Sequence, residues 1–245
     1  MGTVVTITSG KGGTGKTTVT AALASRLSAL GKQTLCIDMD CSMRNLDLAL
    51  GLSDRAVMNF IDVIENRCTL DDAVVPHPKA QGLYFLSAPA FASGEHITES
   101  QMKQLTAEAA RQYDYVLLDS PAGLGHVWNL STCPADVIVV VANTDPYSLR
   151  DASRVAAELS AIKADLRLVV NRVQPKILRK LRLTIDDAID QTGLPLLGLI
   201  PEDTSLILEI GKGRFPVFSL YSKADTACRN IVKRLIGQSV PLCRL

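Results

Sequence analysis

The stretch Val4–Thr18, VVTITSGKGGTGKTT, decides how the rest of the chain is read. A β-branched run, Val4–Thr8, stops at a glycine-rich segment, and Thr17–Leu30 then repeats with helical period and closes on Gly31. Between them, Gly10-Lys11-Gly12-Gly13-Thr14-Gly15-Lys16-Thr17 fits G-x-x-x-x-G-K-[ST], in the strand-then-helix context that motif needs. Small residues let the backbone wrap an anion, while amide N–H groups and the helix N-terminus supply donors. Lys16 adds charge at β- and γ-phosphates, and the Thr17 hydroxyl is a candidate Mg²⁺ ligand. The candidate nucleotide-binding run is Lys11, Gly12, Gly13, Thr14, Gly15, Lys16, Thr17 and Thr18. One phosphate loop needs a single lysine, so Lys11 requires its own explanation.

Outward from the loop, short aliphatic runs recur at Thr34–Met39, Leu83–Leu86, Tyr115–Asp119, Val137–Ala142, Leu166–Asn171 and Leu196–Ile200. Stretches of helical period, Thr98–Gln112, Tyr147–Ile162 and Ala224–Ile236, alternate with them. Runs apolar throughout, such as VIVVVA, indicate strands covered on both faces. The expected fold is therefore α/β, a mainly parallel sheet sandwiched by helices, with ligands bound beyond the carboxyl ends of the strands. With 245 residues, 47% apolar, and no Pro/Gly/Ser-rich linker, a single domain over 1–245 is expected.

Charge excludes some partners. Lys plus Arg total 26 against 25 Asp plus Glu, so no general field draws the protein to nucleic acid or anionic lipid, and any such contact needs a local patch. One exists: RVQPKILRKLR carries Arg172, Lys176, Arg179, Lys180 and Arg182 with no acid, and is expected as an exposed loop, with DNA backbone or anionic lipid as candidate partners. The six cysteines form no C-x-x-C pair, as suits a reduced cytosolic protein. The N-terminus lacks signal-peptide character and no run reaches about 18 apolar residues, so the expected location is cytoplasmic.

Asp38 and Asp40 close the second strand at i and i+2, so the pleat is expected to aim both side chains at the mouth of the phosphate site. Acids beside a polyanion repel it unless a cation intervenes, and phosphate-bound Mg²⁺ usually keeps several waters and one or two carboxylates. Asp119, ending YVLLD, is a third candidate; capping of a following helix is the alternative for such strand-end acids. In DSPAG, the small Gly123 lets an amide approach a γ-phosphate and register its loss. Asn171 ends LRLVVN; its amide both donates and accepts, which leaves adenine or guanine open. Arg172 and Val173 follow it, so the N-K-x-D of many GTPases is absent.

KGGTGKTT (Lys11–Thr18) resembles the deviant phosphate-loop signature of the ParA/MinD ATPases. Similarity continues through IDMDCSMRNLDLALGL (Ile37–Leu52), YDYVLLDSPAG (Tyr113–Gly123), SLRD (Ser148–Asp151) and LLGLIPED (Leu196–Asp203), over nearly the whole chain and toward the branch that places the division septum. The resemblance implies a Mg²⁺-dependent ATPase that sandwiches two ATP molecules in a homodimer. It assigns Lys11 to the partner's phosphates, a cation delivered in trans like an arginine finger. It gives Asp40 the attacking water, Asp38 the support of metal and water, Asp119 a water-mediated hold on Mg²⁺, and Asn45 a switch role. Adenine is the implied base, lined by Asn171, Pro201, Glu202 and Asp203. Arg150 and Asp151 resemble the surface that receives a MinC-like inhibitor and a MinE-like activator. That branch ends in an amphipathic membrane-targeting helix; here Pro241 interrupts QSVPLCRL, and ACRNIVKRLIG is expected to pack on the body, so membrane contact by that route is not expected. Two other readings stand beside this one: a ParA-like ATPase that positions DNA or cargo, and a nucleotide-binding scaffold without turnover.

Overall fold

The computed structural model describes residues 1–90, 94, 96–205, 208 and 222–243. In chain order it runs β1 (Thr3–Thr8), α1 (Lys16–Ala29), β2 (Thr34–Asp38), α2 (Leu46–Leu50), α3 (Phe60–Ile64), α4 (Leu70–Ala73), β3 (Val75–Pro76), β4 (Leu83–Leu86) and α5 (Glu99–Gln112). It continues with β5 (Tyr115–Asp119), α6 (His126–Thr132), β6 (Val137–Asn143), α7 (Pro146–Leu159), β7 (Asp165–Val173), α8 (Pro175–Leu181), α9 (Ile185–Thr192), β8 (Leu196–Pro201) and α10 (Lys223–Leu235). The eight strands form one sheet in the order β3-β4-β2-β5-β1-β6-β7-β8. Every pairing is parallel except the short β3 against β4.

Alternation along each strand sends neighbours to opposite layers. Val5 and Ile7 of β1 join Cys36, Leu117 and Val139 beneath α1 and α10. Val4 joins Leu35, Ile37, Val116 and Leu118 on the other face, under α3 and α5. A third cluster sets Ile138, Val140, Leu168 and Val170 against Val155 and Leu159 of α7 and Ala188 of α9. Both faces are thus covered, which is why the central strands read as continuous apolar runs.

Three expectations change. β2 ends at Asp38: the Met39 N–H donates to the Asp119 carbonyl as the last rung of the ladder, and the chain then turns. The basic stretch is not a loop: its middle forms α8, with Pro175 in the first turn and only Leu178 buried. Helices α2, α3 and α4 have four or five residues, too short for a 3.6-residue period to show.

The amphipathic C-terminal helix does pack on the body. Ala224, Ala227, Cys228, Ile231 and Val232 of α10 are buried in the first cluster. Arg234 donates to the Leu197 and Val240 carbonyls, tying both β8 and the following chain to the helix. Among the described residues no helix is long and apolar enough to cross a membrane.

Candidate functional site

The strand order brings the carboxyl ends of β2, β5, β1, β6 and β7 side by side. The phosphate loop leaves β1 there, flanked by Asp38 and Asp119, which are register partners on adjacent strands. Asn143 closes β6 on the other side and pairs with Asn171, which does not end its strand as expected: β7 continues to Val173.

Two close approaches shape the loop. Gly15 caps α1 at φ 92°, ψ 25°, a left-handed conformation open to glycine, and a methyl group there would sit 2.5 Å from the Asn171 Nδ2. A methyl at Gly10 would lie 2.5 Å from the carbonyl carbon and oxygen of Asp151 in α7. Gly12 and Gly13 are exposed, leaving the open side of the loop without side chains. Thr14 is buried and its Oγ1 finds no hydrogen-bond partner among the described residues. Thr17 and Thr18 are half-buried in the first turn of α1.

Lys16 is only 8% exposed. Burial lowers its pKa, opposed by the charges of Asp119 and then Asp40. Asp119 is buried and its pKa is raised, first by desolvation; the Thr17 hydroxyl, Lys16 and the Thr20 hydroxyl work against that rise. Thr20 Oγ1 donates to Asp119 Oδ1 at 3.0 Å. Asp38 is raised as well, by burial and then by the Asp119 charge. Its carboxylate oxygens accept the backbone N–H groups of Asp40 (2.9 Å) and Leu46 (3.2 Å), so Asp38 also shapes the segment between them.

Asp38 and Asp40 do not share one environment, contrary to the pleat argument. Asp40 stands beyond the strand, half-exposed, with Oδ1 accepting N–H groups of Ser42 and Met43 at 3.1 Å in a turn. It still lies close enough to Lys16 to act on its charge. Asn45 is exposed at the start of α2 and makes no side-chain cap. Gly123, at φ 85°, lies in the loop after β5 beside the exposed Leu124.

Lys11 turns toward its own chain: its Nζ meets Asp145 Oδ1 at 3.2 Å, with the two side chains 35% and 43% exposed. Asp145 also caps α7 by accepting the Ser148 N–H at 2.9 Å. Asn171 is buried and donates Nδ2 to the Thr14 carbonyl at 2.9 Å, so this amide holds the loop. Pro201 pairs with Val173, the Glu202 N–H donates to the Val173 carbonyl, and the Glu202 carboxylate meets Gln174. Asp203 accepts the Ser205 N–H at 2.9 Å. Arg150 is exposed on α7, and Asp151 faces Arg154 at 3.9 Å.

Sequence reasoning missed Asp145, Thr20 and Trp128. Thr20 follows Lys16 by four residues and shares its helix face, a signal that was available. Asp145 is 134 residues from Lys11, and no local pattern joins them. Trp128 Nε1 donates to Thr8 Oγ1 at 2.8 Å, fastening α6 to the strand that feeds the loop.

The donor set suits a hard cation. Thr17, Asp38 and Asp119 offer oxygen only, while among the described residues no cluster of three His, Cys, Asp or Glu side chains forms a cage. That matches Mg²⁺, which keeps waters and phosphate oxygens and takes few protein ligands, and not a metal needing an all-protein site.

A model of the AAA domain family matches residues 2–172. The septum site-determining protein MinD of Synechocystis sp. is 36% identical over 244 residues, covering 98% of this chain and 92% of that one. A solved MinC:MinD cell division protein complex from Aquifex aeolicus superposes with a TM-score of 0.91 at 34% identity, covering 99% of each chain. MinD complexed with Mg-ADP from Pyrococcus horikoshii superposes at 0.84 with 28% identity, covering 97% of each. With its phosphate loop, doubly covered parallel sheet and end-to-end similarity, the chain belongs to the MinD family of septum site-determining P-loop proteins.

Proposed function

We propose that the protein is a Mg²⁺-dependent ATPase that pairs with a second copy when ATP is bound and uses that paired state to regulate where the division septum forms. The observation that carries the reading is Lys16, almost fully buried beside Asp119 and Asp40 at the mouth of a glycine loop. A desolvated cation facing side-chain-free backbone is a receptor for phosphate oxygens.

The loop amides and α1 N-terminus receive the α- and β-phosphates, and Lys16 reaches the β- and γ-phosphates. The Thr17 hydroxyl and, through water, Asp119 would hold Mg²⁺, with Asp38 supporting both, and the ion would supply charge neutralisation at the phosphate oxygens. Asp40 orients the attacking water; because the transition state is loose, placement matters more than base strength. Gly123 and Asn45 register the γ-phosphate and the neighbouring copy. Asn171, Pro201, Glu202 and Asp203 border the adenine.

Lys11 completes the partner's site in trans, as a cation that offsets charge developing on the transferred group. Arg150 and Asp151 receive a MinC-like inhibitor and a MinE-like activator. The protein is cytoplasmic, with peripheral contact at the inner face of the cell membrane. All of these roles share one domain.

Light scattering with ATP tests the pairing. Wild-type protein is expected to dimerise, Lys16→Ala to lose nucleotide binding, and Lys11→Ala to bind nucleotide yet stay monomeric. Unchanged dimerisation of Lys11→Ala would remove the trans role. A fluorescent fusion in dividing cells tests the septum reading, since the same diffuse distribution for wild type and Lys16→Ala would contradict it.

A further inference from the structure

We propose that α8 with the arginine that follows it, residues 175–182, is an interfacial contact site for an anionic lipid bilayer, separate from the nucleotide site and from α10. Lys176, Arg179, Lys180 and Arg182 are all exposed, and none is ion-paired among the described residues; Arg172, in β7, lies beside Gly15 of the phosphate loop and is not counted with them. No acid lies among them; the adjoining acids are Glu202, engaged by Gln174, and Asp186 and Asp187 at the start of α9, with Asp187 engaged by Thr184. In a chain of net charge +1 this is a strong local excess.

Apolar side chains distinguish the surface from a plain cation cluster. Ile177 and Leu181 are four residues apart, so they share one ridge of the helix, and they are 42% and 55% exposed. Arg182, at φ 54°, is a left-handed turn that sets α8 off from α9, and Leu178 alone of the α8 side chains is seated in the core. Lysine and arginine around an aliphatic ridge is the composition of an interfacial helix: cations meet lipid phosphates while the ridge enters the headgroup boundary. Duplex DNA would use the cations and leave Ile177 and Leu181 without a role, so the ridge favours lipid. The apolar face of α10 is already spent on the core, whereas α8 keeps its basic and aliphatic side chains open. With seven residues and two aliphatic side chains, the contact is weak and salt-sensitive.

The test uses the full chain without nucleotide, so it stands apart from the ATPase reading. Sedimentation with phosphatidylglycerol-containing vesicles is compared with pure phosphatidylcholine, with unfolding midpoints confirming that every variant folds. Binding is expected for the anionic vesicles only, falling as salt is added. Lys176→Gln/Lys180→Gln should weaken it on the order of thirtyfold, from the affinity each basic residue contributes at such a surface. Ile177→Ser/Leu181→Ser should weaken vesicle binding on the order of tenfold while leaving any affinity for a random duplex DNA unchanged. Equal pelleting with both vesicle types, full binding by either double variant, or tighter binding to the duplex than to the anionic vesicles would overturn the proposal.

Discussion

Replacing Asp145 by asparagine separates its two duties. Its Oδ1 accepts the Ser148 N–H at 2.9 Å and the Lys11 ammonium at 3.2 Å. Asparagine caps a helix about as well as aspartate, so the cap survives and only the charge is lost. With side chains 35% and 43% exposed, the pair belongs to the class worth roughly 0.2–1 kcal/mol. If Lys11 serves a neighbouring copy, it must leave Asp145 first, and forming a dimer breaks two such pairs. Removing that cost amounts to about 0.4–2 kcal/mol per dimer, or roughly a 2-fold to 30-fold tighter dimer with ATP.

The assay is analytical ultracentrifugation with ATP in an Asp40→Ala background that slows turnover. Asp145→Ala, which also loses the cap, should cost about 1 kcal/mol and lower the melting midpoint by about 2–4 °C. Asp145→Asn should leave the midpoint nearly unchanged. Weaker or unaltered dimerisation of Asp145→Asn would show that the pair does not hold Lys11 back, and the reasoning would fail.

Three further outcomes follow from the site. Gly10→Ala drives a methyl to 2.5 Å from backbone atoms of Asp151, which cannot rotate away; a loss of about 1–3 kcal/mol is expected in denaturant unfolding, and an unchanged midpoint would mean the contact is slack. Asp38 and Asp119 have pKa values raised by burial, so the folded state binds more protons than the unfolded chain. Stability of the metal-free protein should therefore fall as pH rises above about 4, the unfolded carboxylate value, and Mg²⁺ with nucleotide should restore most at the alkaline end of the series; a rise instead would contradict the shifts. Asp40→Ala removes a half-exposed side chain, so folding and nucleotide binding should persist while turnover falls about a hundredfold or more; turnover within a few-fold of wild type would take Asp40 off the water.

The sheet and its principal helices were legible because each central strand is a short aliphatic run and each long helix repeats with its own period. The phosphate loop was legible as chemistry, since glycines and lysine at fixed spacing have few other uses. Asp40 shows where this ended: the pleat rule holds only while the strand continues, and past the last rung, Met39 to Asp119, the Asp40 carboxylate accepts the Ser42 and Met43 N–H groups in a turn. The 172–182 segment failed for a related reason. Its charges read as loop, but Pro175 at a helix start and one buried residue, Leu178, suffice for a short helix anchored in the cluster beneath α7. Contacts such as Lys11 with Asp145 depend on strand order, which brings β6 beside β1 and has no signature in either segment.

That strand order also explains how events on α7 can reach the phosphates over a short distance. Asp151, in the second turn of α7, packs its backbone on Gly10, and Asp145, which caps the first turn, meets Lys11. The turn itself is held to the end of β6, because the Asn143 N–H donates to Ser148 Oγ and the Ser148 N–H donates to Asp145. Arg150 projects from the second turn, beside Asp151, and is exposed. A protein that gripped Arg150 and shifted the turn by an ångström would find no slack at Gly10, where close packing transmits displacement and does not absorb it. The loop would move, or Lys11 would be released, and either changes the charge presented to the γ-phosphate. Coupling between a docked partner and hydrolysis then needs no pathway through the core, only the contacts of the cap and first two turns of one helix with two consecutive residues of the loop.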